Sequence, residues 1–149
     1  MNETIFKTAY ALAQKAAQLD EVPVGAVIFN TETKEIIASA YNQTEKTKNP
    51  LAHAELLCIH EACQKLGVKR LTGYSLFVTL EPCTMCAGAI AWARLDNLYF
   101  GAYDPKTGAI KQGPQVFSHP QTHHKINIEG GIHADICGQL LTTFFQTKR

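Results

Sequence analysis

Two short stretches hold the residues best suited to chemistry. Cys83 and Cys86 stand three apart in Glu81-Pro82-Cys83-Thr84-Met85-Cys86, and His53 stands two before Glu55 in Ala52-His53-Ala54-Glu55. Thiolates and imidazoles are ligands that zinc favours, and three of them leave the fourth position of a tetrahedral ion open to water. A carboxylate beside such a water can move protons instead of binding the ion. A Cys-x-x-Cys pair alone also fits a redox couple or half of a structural zinc clip, and a lone histidine or glutamate is more often an ordinary surface or core side chain. Together, the two stretches point to one catalytic metal site, with His53, Cys83 and Cys86 as ligands and Glu55 as proton shuttle.

The elements that must position these residues follow from the flanking sequence. Residues 74–80 form a continuous apolar run and read as a buried strand, and the alanine-rich run after Cys86 reads as a helix. Pro82 is expected at the first turn of that helix, 83–94, where its missing N–H has no intrahelical partner to lose. Both cysteines then share one face of the opening turn, and the positive end of the helix favours their thiolate forms. His53 is expected to open a second helix, 53–66, closed by Gly67.

Around this centre the pattern continues. Ile5, Ala9, Leu12, Ala16 and Leu19 recur at helical spacing, predicting an amphipathic helix over 3–19. Residues 24–29 and 35–41 read as a hairpin across the polar turn Asn30-Thr31-Glu32-Thr33-Lys34. Residues 42–50 read as a polar loop and 96–100 as a fourth strand. The segment 101–125 is irregular, broken by Pro105, Pro114 and Pro120, and a loop of such length in a compact domain usually carries function. A short fifth strand is expected at 126–128. A final helix at 134–147 should turn Ile136, Leu140, Leu141 and Phe144 to the core. This order predicts a single α/β domain over 1–149 with a central mixed sheet of about five strands between helices.

Composition narrows the class. The chain has 149 residues, 46% hydrophobic and 18% charged, with a formal net charge of +1. That is globular composition, and it does not announce a nucleic-acid binder by bulk charge. Cys58, Cys63 and Cys137 lie in apolar helical runs and read as small core residues rather than a disulfide framework, so a reducing compartment is expected. The N-terminus lacks a basic-then-apolar signal pattern, and no run approaches a membrane span.

These residues resemble the zinc-dependent nucleobase deaminases, whose signature of H-x-E followed by P-C-x-x-C is already known. The likeness is greatest to the bacterial tRNA-specific adenosine deaminases. It is carried by Glu21-Val22-Pro23-Val24-Gly25-Ala26-Val27, Asn49-Pro50-Leu51-Ala52-His53-Ala54-Glu55, Leu80-Glu81-Pro82-Cys83-Thr84-Met85-Cys86-Ala87-Gly88-Ala89, Gly101-Ala102-Tyr103-Asp104-Pro105-Lys106-Thr107-Gly108-Ala109 and the tail Phe144-Phe145. The resemblance implies a three-layer α/β/α cytidine-deaminase-like fold and one zinc ion per subunit. It also implies a cytoplasmic homodimer with no membrane partner. The implied reaction is hydrolysis of adenosine to inosine at the wobble position of a tRNA anticodon stem-loop. It further implies that Asn42 hydrogen-bonds the target base, that Asp104, Lys106 and Thr107 line the nucleic-acid approach, and that Phe145, with Lys148 and Arg149, meets RNA while Phe144 stays in the core. One stretch departs from the family. After Gly108-Ala109 relatives carry a small turn containing Gly and Ser, whereas this chain reads Ile110-Lys111-Gln112-Gly113-Pro114. The rival within the superfamily is a deaminase of a free base or nucleoside (guanine, cytosine or cytidine), which would share the whole zinc apparatus. A catalytically dead partner subunit would be expected to have lost Glu55.

Overall fold

Apolar runs too continuous for one-faced strands become strands covered on both sides. The computed structural model describes residues 1–148, so the expected role of Arg149 lies outside the described residues. The chain runs α1 (Glu3–Gln18), β1 (Gly25–Asn30), β2 (Ile36–Tyr41), α2 (Thr44–Thr47), α3 (Ala54–Leu66), β3 (Tyr74–Leu80), α4 (Thr84–Ala93), β4 (Asn97–Ala102), β5 (Asn127–Glu129) and α5 (Ala134–Thr147). The five strands form one mixed sheet in the order β2-β1-β3-β4-β5. β1 pairs antiparallel with both β2 and β3, and β3, β4 and β5 run parallel. The fold is the expected α/β sheet layered between helices.

Alternation along the strands divides the core in two. Ala26 and Ile28 of β1 and Leu76 and Val78 of β3 join Cys58 and Ala62 of α3 and Ile90 of α4 on one face. Val27, Phe29 and Phe77 join Ile5, Phe6 and Ala9 of α1 and Cys137 of α5 on the other. Gly25 is required where α1 crosses β1: a Cβ there would collide with the Ala9 carbonyl. That close approach lets α1 lie flat on the sheet. Among the described residues no helix is long and apolar enough to cross a membrane.

Several expectations shift, each for a physical reason. α1 starts at Glu3 as expected, after Asn2, whose side chain accepts the N–H groups of Thr4 and Ile5 as an N-cap, but ends at Gln18. Its buried stripe runs through Ile5, Phe6, Ala9, Ala13 and Ala16, while Leu19, beyond the last turn, is exposed. The expected 42–50 loop contains the one-turn helix α2, because the buried Glu21 carboxylate accepts the N–H groups of Glu45 and Lys46 at 3.0 and 2.7 Å. On α5, Cys137 and Phe144 are buried but Ile136 is exposed. The helix lies so close to β4 at Gly101 that a Cβ there would stand 2.7 Å from the Cys137 sulfur, which makes Cys137 the inward residue. A single 3-10 turn at Val116–Ser118 interrupts the 101–125 segment.

Candidate metal centre and its cavity

The ligand-type side chains arrive from the starts of two neighbouring helices. Neither His53 nor Cys83 lies inside its helix: each is an extended N-cap residue, with no side-chain capping bond. Cys83 is held out of α4 because it bridges Gly108 in antiparallel fashion. Pro82 therefore precedes the cap instead of occupying the first turn, and the helix begins at Thr84. The expected one-face cysteine pair becomes a cap residue and a third-position residue, a spacing that still aims both sulfurs at one point. His53 Nδ1 lies 3.7 Å from Cys83 Sγ and 3.5 Å from Cys86 Sγ. The three donor atoms lie within 4.8 Å of one another, a separation that one ion could bridge with bonds of about 2.0–2.3 Å. Glu55 is not part of that cluster.

The electrostatics suit a cation. The hydrogen bond from Cys86 pulls the Cys83 thiol down, to about 4, with His53 adding to the effect against burial. Its partner Cys86 is raised by that same bond and by burial. The hydrogen bond to Cys83 raises His53, with burial opposing. One thiolate thus forms readily beside a second thiol and an imidazole, and the donor set fits zinc: soft sulfur and one nitrogen. Glu55, 4% exposed, is pushed up by burial to about 7, while the N–H at its own position and the nearby His53 pull it down.

Above the cluster opens a cavity of ≈ 870 Å³. His53, Glu55 and Cys83 line it, as do Asn42, Asp104, Lys106, Thr107 and Phe145. Cys86 lies beneath, fully buried. The expected substrate contacts among the described residues therefore line one space. Asn42 lines it, and its Oδ1 accepts the Ala54 N–H at 2.7 Å. That bond supplies the cap that His53 does not give α3, and it turns the Asn42 amide N–H groups toward the cavity. Asp104 does not present its carboxylate freely: it accepts from the N–H groups of Lys106 and Thr107 at 3.0 Å each and from the Thr107 hydroxyl at 2.6 Å. Phe145 is 47% exposed at the rim and Phe144 is buried, as the sequence suggested. Lys148, expected to meet RNA beside Phe145, also lines the cavity; it pairs with Asp20 and lies 5.4 Å over the Phe144 ring.

Cavity residues without a chemical signature escaped the sequence reading. Val22, Val24, Leu80 and Tyr103 complete the apolar walls. Glu81 lines the cavity too, and its proximity to the cysteines was the one available signal.

A layered five-stranded sheet with His-Cys-Cys at paired helix starts and a buried glutamate beside them defines a deaminase. A profile of the MafB19-like deaminases matches residues 1–149, and the chain belongs to that family. Its relatives include the tRNA-specific adenosine deaminase of Agrobacterium fabrum, 44% identical over 137 residues, covering 92% of this chain and 89% of that one. The tRNA-specific adenosine deaminase of Bacillus subtilis is 41% identical over 148 residues, covering 99% and 91%. A structure solved in work on A-to-I editing by tRNA:A34 deaminases at the wobble position of transfer RNA superposes with a TM-score of 0.91 at 41% identity, covering 94% of this chain and all of that one. A guanine deaminase from Nitrosomonas europaea shares the fold, with a TM-score of 0.85 at 21% identity over 97% of this chain and 84% of that one.

Proposed function

We propose that this chain hydrolyses adenosine to inosine at the wobble position of a tRNA anticodon loop, using one zinc ion held by His53, Cys83 and Cys86. The observation that carries the reading is the convergence of His53 Nδ1 and both sulfurs within 4.8 Å beneath a cavity that Glu55 also lines. The 40%-level relatives, matched over most of their length, support the tRNA substrate.

Zinc, held there by His53, Cys83 and Cys86, would supply an acidified water, with its pKa brought to about 7. Glu55 takes a proton from the attacking water and delivers it to the ring nitrogen beside the reacting carbon. Protonation makes that carbon electrophilic. The water oxygen bonds to it; Glu55, now a carboxylate again, takes the hydroxyl proton of that adduct and passes it to the amine, and the C–N bond breaks to release ammonia. A carboxyl that burial raises to about 7 can both take and give a proton near neutrality. The Asn42 amide, with its oxygen occupied by Ala54, donates to an acceptor on the base. Asp104, Lys106 and Thr107 form the wall along which the strand enters, and Phe145 offers a stacking face at the rim. A loop nucleotide is already partly unstacked, so extruding it costs a few kcal/mol or less.

The same reading makes the chain a homodimer in the cytoplasm. The outer face of α4 supports a subunit contact: it carries no charged residue, and Trp92 on it is 82% exposed. The deciding assay offers a hairpin with adenosine at the wobble position together with free guanine, cytosine, cytidine and adenosine. Inosine in the hairpin alone is expected, and Glu55→Ala should keep its zinc but lose turnover by several orders of magnitude. Conversion of a free base instead of the hairpin, or full activity in Glu55→Ala, refutes the reading.

A further inference from the structure

Glu81 precedes the cysteine segment and has no task in the reaction above. Its side chain is 2% exposed. Instead of a cation, it collects hydrogen bonds from the far side of the cavity. Oε1 accepts the Asp104 N–H and the Gln112 side-chain amide, each at 3.0 Å. Oε2 accepts the N–H groups of Ile110, Lys111 and Gln112 at 3.1, 2.8 and 3.2 Å. A carboxylate offers about four lone-pair sites, so these donors saturate it. The loop closes tightly over the group: a Cβ on Gly108 would stand 2.6 Å from the Glu81 carboxylate. The main chain repeats the connection, with the Ala109 N–H on the Pro82 carbonyl at 2.9 Å and the Cys83–Gly108 bridge.

We propose that Glu81 is a positioning residue: it latches the 104–112 wall to the cysteine segment and so fixes Asp104, Lys106 and Thr107 relative to the reacting base. The link is direct, because Asp104 is gripped through its N–H and in turn orders Lys106 and Thr107 through its carboxylate. The latch also accounts for the tolerance of a divergent 110–114 stretch. Ile110 and Lys111 reach Glu81 through main-chain N–H groups, which any residue but proline supplies, and Gln112 adds one side-chain bond, while the Ile110 side chain packs into the core. Cys83 has anchors of its own, since its carbonyl accepts the Ala87 N–H at 2.9 Å and starts α4. Losing Glu81 should therefore loosen the wall and spare the ligand cluster.

The substrate part rests on the deaminase reading, so the test has a readout apart from activity. Glu81→Gln replaces one acceptor oxygen with an NH2 group and leaves at least two of the donors unpaired. Zinc content, amide hydrogen exchange and hairpin kinetics are measured on that variant and on the unmodified protein. Zinc should match the unmodified protein. Exchange over 104–112 should quicken at least about tenfold with 84–93 unchanged. KM for the hairpin should rise at least about tenfold while kcat stays within about threefold, the signature of lost binding common to ground and transition states. Gln112→Leu removes only the side-chain donor and should move exchange and KM in the same direction by about threefold; it decides the matter if Glu81→Gln does not fold. Unchanged exchange over 104–112 overturns the latch. A loosened wall with lost zinc, or with kcat reduced and KM unmoved, overturns the positioning role. Should the unmodified chain leave the hairpin untouched, the deaminase reading and the substrate role fall together, and exchange still decides the latch.

Discussion

Asn42 does two jobs with opposite ends of one amide, and two substitutions separate them. Its Oδ1 accepts the first N–H of α3, from Ala54, at 2.7 Å in a buried setting. An N–H can only donate, so the oxygen is committed and the NH2 faces the cavity. No buried side-chain polar atom lacks a partner among the described residues, so that NH2, unpaired with protein, is open to the cavity. Asn42→Ala strands the Ala54 N–H at a cost of about 1–3 kcal/mol. For a chain of this size each kcal/mol lowers Tm by about 2–4 °C, giving an expected drop of about 2–12 °C. Asn42→Asp restores an acceptor, now charged and at a helix N-terminus, where an anion is favoured; it should recover at least half of that loss. Neither variant can donate to the base. Both should lose about tenfold to a hundredfold in kcat/KM on the anticodon hairpin. Thermal unfolding and steady-state kinetics on the three proteins give the answer. If Asn42→Asp regains activity along with Tm, the donor role is wrong; if Asn42→Ala melts with the unmodified protein, the capping role is wrong.

Two further outcomes follow from the same chemistry. In metal-stripped protein near pH 7, iodoacetamide should label half-buried Cys83, a thiolate with its pKa near 4, well ahead of Cys63, whose thiol burial raises; added zinc should protect Cys83, and peptide mass spectrometry reporting equal labelling would refute this. Burial alone would raise the Glu81 carboxyl, but the N–H groups of Asp104, Lys111 and Ile110 and the Gln112 amide hold it below the usual range. A carboxylate depressed in the folded state contributes stability above its unfolded pKa, about 4.3, and loses it as pH falls through the lower folded value. Tm measured from pH 6 down to about 3 should therefore fall less steeply in Glu81→Gln than in the unmodified protein, and parallel curves would contradict it.

The parts legible in the sequence share one property: their signal is carried by side-chain type at short range. The apolar run at Tyr74–Leu80 and the periodic stretch at Ala134–Thr147 matched their elements end to end. Gly67 takes the left-handed C-cap position at φ 65. His53, Cys83 and Cys86 were legible because few residue types bind metal and their spacing is restrictive. What stayed hidden depends on distant or anonymous partners. α2 exists because of a carboxylate on Glu21, far back in the chain. Cys83 leaves its helix because of Gly108. Glu81 gathers mostly main-chain N–H groups, which every residue but proline carries, so nothing in the letters beyond its place beside the cysteines points to it. Ile136 and Cys137 exchange places because β4 and α5 approach closely at a glycine, and periodicity alone does not fix the rotation of a helix to within one residue.

The division of the ligands between two helix starts also bears on the unfolded ensemble. His53 and Cys83 are 30 positions apart, and between them lie all of α3 and β3. An ion gripped by both, were it to stay bound as the chain unravels, would close that span into a ring and remove about 4 kcal/mol of conformational freedom on the loop-closure scale used for disulfides. A chelator would then do more than silence the enzyme: it would cut a crosslink and return that freedom to the unfolded chain.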